Sequence, residues 1–149
     1  MVKELNKNFK LMRKSMLDIG MKVLLDDKGK DYLDVQREQM AHGQASDGGL
    51  IGSYANKSYR DMKERMGLLS QSMGYVNLFL TGDFVEELTL RQETKRRALV
   101  YSQDEKSKKL EKKYGSKIFG LSDGYLDVAR EKFMPNFRRE CAKVVFNGQ

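Results

Sequence analysis

Six apolar residues near the start of the chain, Leu5, Phe9, Met12, Met16, Ile19 and Val23, recur at alternating spacings of four and three. At 3.6 residues per turn that spacing gathers them into one stripe, and Lys7, Lys10, Arg13, Lys14 and Lys22 fall largely outside it. A strand cannot use such a pattern, because its faces alternate with a period of two. The spacing therefore predicts an amphipathic helix over residues 1–25. About three heptads make only a short coiled-coil seam. Isolated helices draw most of their stability from tertiary packing, so the stripe is expected to lie against the protein's own sheet. Gly20, inside the pattern, weakens the last turn by about 1 kcal/mol relative to Ala.

A second stripe closes the chain. Leu126, Ala129, Phe133, Phe137, Cys141 and Val144 are spaced by three and four, which predicts a helix over 122–146 with Ser122 as its cap. Pro135 lies within it and predicts a kink or a restart near Phe133 and Met134. Residues 147–149 are expected to fray.

Between the stripes the pattern changes repeatedly. Residues 26–31 have turn chemistry, and 32–37 read as a short strand or an irregular segment. Gly, Ser and Asn crowd 41–58, which reads as a long flexible surface loop. Residues 59–66 form a short helix with Tyr59, Met62 and Met66 on one face and Gly67 as its stop. A β region is expected over 76–102. It contains an apolar run at 76–80, a Thr81-Gly82-Asp83 turn, and strands at 84–90 and 96–102 joined as an antiparallel hairpin. Leu88 and Leu90 would share one face, as would Leu99 and Tyr101 on the partner strand. A charged helix over 104–114 closes at Gly115, and Ile118, Phe119 and Leu121 lead into the last helix. The expected fold class is α+β: an N-terminal helix, a small antiparallel sheet with a long flexible loop, and a C-terminal helix, in a single domain over 1–149.

Composition narrows the function classes. With 40% hydrophobic and 33% charged residues the chain can form a core. Cys141 is the single cysteine, so no internal disulfide can form. No apolar run approaches the ~20 residues that span a bilayer, and the first residues carry charges where a signal peptide needs an apolar core. The expected location is a reducing cytoplasm, or a particle assembled there, with no membrane partner.

Catalytic chemistry has little to stand on. His42 is the only histidine and sits in the Gly-rich loop without a second His or Cys for zinc. Cys141 falls on an apolar stripe, where a small hydrophobe is expected. Asp26, Asp27, Asp31 and Asp34 lack the ligand alternation and terminal Glu of a calcium loop. Gly48-Gly49-Leu50-Ile51-Gly52 lacks the lysine of a phosphate loop. The sequence thus predicts no enzyme, no metal and no cofactor.

Charge is more informative. The chain carries a formal net charge of +7, and residues 95–117 hold nine basic side chains against three acidic ones, with Tyr101 and Tyr114 interleaved. Lys106, Lys108, Lys109, Lys112, Lys113 and Lys117 are candidates for contact with DNA phosphates or with an acidic partner. A solvated helix face, screened by Glu105 and Glu111, is the structural alternative.

The order of these parts resembles the tail-completion and head–tail joining (neck) proteins of tailed phages. The resemblance is carried by the helix 5–23, the loop 41–58, Leu80-Thr81-Gly82-Asp83-Phe84 and the run Ala98-Leu99-Val100-Tyr101-Ser102. It continues with Leu110-Glu111-Lys112-Lys113-Tyr114-Gly115 and Ile118-Phe119-Gly120-Leu121-Ser122 before the last helix. Asp83-Phe84 stands where that family usually has Leu-Arg, and the segment before Tyr114 is richer in lysine. The resemblance implies a structural virion protein, made and assembled in the host bacterial cytoplasm. Copies would form a ring at the head–tail junction or the top of the tail. Its partners would be further copies of itself, portal, adaptor or tail-tube proteins, and DNA in transit. The loop and hairpin would meet neighbours, with Leu88 and Leu99 as candidate inter-subunit contacts. The alternative is a small basic nucleic-acid-binding accessory protein acting through the same lysines.

Overall fold

A computed structural model describes residues 1–147. Helix α1 spans Val2–Leu24 and is followed by a tight 3-10 turn, Asp26–Gly29, and helix α2, Lys30–Ala41. Asp27, Lys28 and Gly29 all take left-handed backbone angles, with φ of 45°, 59° and 76°. This run of left-handed residues turns the chain sharply from α1 into α2. At Gly29 the backbone lies so close to Leu90 that a Cβ would stand 2.7 Å from its Cδ2.

Helix α2 corrects the short strand or irregular segment expected at 32–37. The reason lies in Gln36 and Gln39, which are buried beside Leu33 and Met40. Their amides are bonded inside the fold: Gln36 Nε2 donates to the Ile118 carbonyl (3.4 Å) and Gln39 Nε2 to the Gly120 carbonyl (2.9 Å). Gln39 Oε1 accepts from the Ser122 amide at 2.7 Å. Two polar residues thus occupy the inward face of this helix and conceal its period.

The Gly-rich segment is a loop, as its composition predicts, and its middle is tied to the core. Ala45 and Ile51 are buried. The Ile51 amide donates to the Gly43 carbonyl at 2.8 Å, and the Ser46 amide to the Lys117 carbonyl at 2.9 Å. Helix α3, Lys57–Arg65, starts where Asn56 Oδ1 accepts from the Tyr59 amide at 3.1 Å. Its inward face differs from the expected one: Tyr59 and Met66 are exposed, and Lys63 is buried.

The β region is smaller than expected. Residues 76–80 form no strand; Leu78 sits at φ 56° in the middle of the run. Gly82, at φ 92°, opens a one-turn helix α4, Asp83–Glu86, in place of the start of a strand. Phe84 and Val85 are both buried, and two successive inward residues fit a helical turn rather than a strand. The antiparallel hairpin itself is present: β1, Leu88–Thr94, pairs with β2, Arg97–Ser102, matching Leu88 with Ser102, Leu90 with Val100 and Arg91 with Leu99.

Helix α5, Ser107–Tyr114, ends at Gly115 (φ 86°), and a 3-10 turn, Ser116–Ile118, leads to helix α6, Asp123–Asn147. Helix α6 runs unbroken through Pro135, so the expected restart is not there. Of the tail 147–149, expected to fray, Asn147 still belongs to α6, and residues 148 and 149 lie outside the described residues. The core gathers Leu33, Met40, Ile51, Phe84, Leu88 and Ile118 around α2. These elements form an α+β fold with a helix at each end and a two-stranded sheet.

Helix α1 packs on α6, not on the sheet. At 23 residues it is about 34 Å long, far more than a two-stranded hairpin can cover, whereas α6 has 25 residues. The pair is antiparallel: Asn8 Nδ2 donates to the Val145 carbonyl at 2.9 Å, and Gly20 faces the rings of Phe133 and Phe137. Glu140 takes hydrogen bonds from Lys143 (2.6 Å) and Lys22 (2.9 Å), which pull its carboxyl down to about 2. Yet Ile19 and Val145 are the only buried residues of the two helices. No helix among the described residues is long and apolar enough to cross a membrane.

Candidate binding cleft and contact surfaces

The lysine-rich segment splits into two groups. Helix α5 turns Leu110 and Tyr114 toward the body and exposes Lys108, Lys109, Lys112 and Lys113. None of these four has an ion-pair partner among the described residues, and Lys113 Nζ lies 5.0 Å from the Tyr114 ring centre. Lys106 lies 4.0 Å from Asp83, and Lys117 Nζ donates to the Leu50 carbonyl at 2.9 Å, so these two already have partners within the chain.

The two candidate inter-subunit leucines lie on opposite faces of the hairpin. Leu88 is 4% exposed and belongs to the core, which corrects its assignment as a contact residue. The expected alternation of Leu88 with Leu90 is right, but their shared face points inward. Leu99 is half-buried on the outer face opposite Arg91, next to Tyr101. The guanidinium of Arg91 lies 5.4 Å from the Tyr101 ring centre. Leu99 therefore remains open to a neighbour.

His42 is engaged locally: Nδ1 stands 2.8 Å from the Glu38 carbonyl and 3.2 Å from Tyr125 Oη. Cys141 is half-buried on α6, where burial and the neighbouring Glu140 push its thiol up. Asp26 caps the Asp27 amide at 3.1 Å, and Asp34 pairs with Arg37 at 2.9 Å.

A residue that sequence reasoning passes over proves the least ordinary. Lys63, on α3, is 2% exposed. Its Nζ donates to Tyr54 Oη and to Asn77 Oδ1, both at 2.7 Å. Asn77 is the hub, since its Nδ2 donates to the Leu68 carbonyl at 2.6 Å and its Oδ1 also accepts from the Phe79 amide at 3.2 Å. No carboxylate of the described residues lies within 4.0 Å of this ammonium. Burial without a counter-charge pushes Lys63 down to about 8, and burial pushes the Tyr54 phenol up to about 12. Lys63 and Tyr54 line a cleft of about 220 Å3 whose walls include Phe79, Phe84, Leu110 and Tyr114. The wall at Leu78 is held in a left-handed conformation (φ 56°), which a branched side chain rarely adopts. The sequence carries no local signal for this cluster, because a lysine between charged neighbours on a helix reads as solvated.

The sign of the pH effect follows from the two protonation states. The folded chain releases the Lys63 proton near pH 8, and the unfolded chain near 10.5. Between those values the unfolded state binds more protons, so raising the pH favours the folded state. Below pH 8 the buried charge exerts its full cost. Lys63→Met is therefore expected to be more stable than the parent at pH 7, by roughly 1–3 kcal/mol. Urea unfolding of both chains at pH 7 and pH 10 checks this, and the gap should shrink at the higher pH.

Comparison with family models, with curated proteins and with solved structures returned no match.

Proposed function

We propose that this chain is a structural protein of a tailed-phage particle, repeated in a ring at the head–tail junction or the top of the tail. The resemblance in motif order supports that reading. The observation that carries it furthest is the apolar surface left uncovered on the α1–α6 pair. Phe9 and Met16 are each 43% exposed, one seven-residue step apart on the same flank of α1. Leu17 is exposed further round that helix, and Leu126 and Val128 are exposed on α6. A helix apolar on more sides than its own chain covers calls for a further partner. In a ring, a heterologous contact repeated around an axis would supply one. The partners would be copies of the same chain with portal, adaptor or tail-tube proteins above and below.

The test uses particles carrying Phe9→Asp and Met16→Asp together. The variant chain is expected to keep its helical circular dichroism, because both positions are already half open to water. Filled heads and free tails should accumulate separately. Joined, infectious particles at the parental yield would refute the proposal.

A second reading has its own observation, the four unpaired lysines of α5. It makes the chain a nucleic-acid-binding accessory protein. Binding through these lysines would be independent of sequence and would weaken steeply with salt. A gel shift at low salt, lost in the Lys108, Lys109, Lys112 and Lys113 quadruple alanine variant, is the expected result for that reading. No shift even at low salt removes it.

A further inference from the structure

We propose that the cleft at Lys63 is a binding site for a carboxylate on a short apolar stem. A lysine ammonium has three N–H groups, and two are used, on Tyr54 Oη and Asn77 Oδ1. The third has no acceptor among the described residues, and neither has the charge a counter-ion. Buried ammonium groups without a paired anion are costly, and proteins rarely keep them at 2% exposure unless something completes them.

The cluster offers a second donor. Tyr54 Oη accepts from Lys63, but its own O–H reaches Asn77 Oδ1 only at 3.5 Å. That oxygen already accepts from Lys63 and the Phe79 amide. Turned toward the cleft, the Tyr54 hydroxyl would donate to one carboxylate oxygen while Lys63 donates to the other. Two converging donors, one of them charged, suit a carboxylate.

The chain's own acids do not fill this place. Asp83 and Asp104 stand on the wall of the cleft, but Asp83 accepts from Thr81 Oγ1 at 2.6 Å and Asp104 from the Lys106 amide at 2.6 Å. Lys106 stands on the rim of the same cleft beside Asp83, and the apolar part of the lining includes Val76, Phe79, Phe84 and Leu110. A stem of a few carbons would rest on them, and a cleft of about 220 Å3 has room for it. Such a group exists as a free short-chain carboxylate and as the side chain of Glu or Asp on a second copy of this chain. The inference does not depend on the assembly reading.

The experiment follows the Lys63 side chain by NMR in protein labelled with 13C at the lysine Cε. Butanoate is the probe, and butan-1-ol at the same concentration is the control. In dilute protein, millimolar butanoate should raise the Lys63 pKa by about one unit, because an anion at hydrogen-bond distance favours the charged form. Butan-1-ol should leave it in place. Tyr54→Phe, which keeps the ammonium, should weaken butanoate by about fivefold or more, the loss of one hydrogen bond. If the pKa instead rises with protein concentration alone, and saturating butanoate keeps it raised but abolishes its dependence on protein concentration, the carboxylate comes from a second copy. A Lys63 pKa that moves with neither butanoate nor protein concentration would overturn the proposal.

Discussion

Leu88→Asp is expected to leave the chain unfolded, while Leu99→Asp, on the paired strand, is expected to fold. Leu88 is 4% exposed and packs in the cluster that holds Leu33, Phe84 and Ile118. A carboxylate there loses its water and finds no cation, and the cost exceeds about 4 kcal/mol, a large part of the stability of a domain this size. Leu99 lies across the strand from Arg91 on the outer face, where an aspartate keeps its water and gains a neighbouring guanidinium. Its expected cost is below about 1 kcal/mol. Circular dichroism melts separate the two outcomes. Because Leu99→Asp stays folded, it is also the informative hairpin variant for assembly: a defect in particles carrying it would report on contact, not on folding.

Gly29→Ala is expected to lower stability by about 2–4 kcal/mol, combining a left-handed backbone with overpacking. The residue sits at φ 76°, and an added Cβ would stand 2.7 Å from Leu90 Cδ2 and 3.0 Å from Leu90 Cβ. Leu90 has little room to yield, since it is 7% exposed and paired with Val100 across the hairpin. Gly67 provides the internal comparison, because it has φ 72° with nothing within 4 Å of its added Cβ. Gly67→Ala should therefore cost only the backbone part, about 1–2 kcal/mol. Parallel urea melts of the two variants measure the difference, which is the overpacking cost of the added methyl group against Leu90. Equal losses would mean that Leu90 moves aside freely.

The long helices and the hairpin were legible because their patterns are local. The stripes at 5–23 and 126–144 give helices whatever they pack on. The runs at 84–90 and 96–102 mark the hairpin, although β1 lies at Leu88–Thr94 and takes in residues expected to link the strands. What they pack on was not legible. Nothing in the spacing of Leu5 to Val23 says that α6, more than a hundred residues away, is its partner. Helix α2 was hidden because Gln36 and Gln39 are buried through bonds to Ile118, Gly120 and Ser122, which no window around them contains. The alternation of Leu88 and Leu90 is visible in the sequence, but which face of the hairpin turns inward is decided by Gly29 and α2. Among candidate site residues, the four lysines of α5 are exposed as expected, whereas Lys63 is set by Tyr54 and Asn77, nine residues before and fourteen after it. A sequence pattern registers periodicity well and long-range satisfaction of polar groups poorly.

Immunogold electron microscopy of phage particles, with an antibody raised against this chain, is the decisive experiment for a place in the particle. Gold is expected only at the neck or the top of the tail, at one position along the particle axis. Unlabelled particles, with a disrupted-particle control in which the epitope is open to the antibody, would contradict it and favour the DNA-binding reading carried by Lys108, Lys109, Lys112 and Lys113.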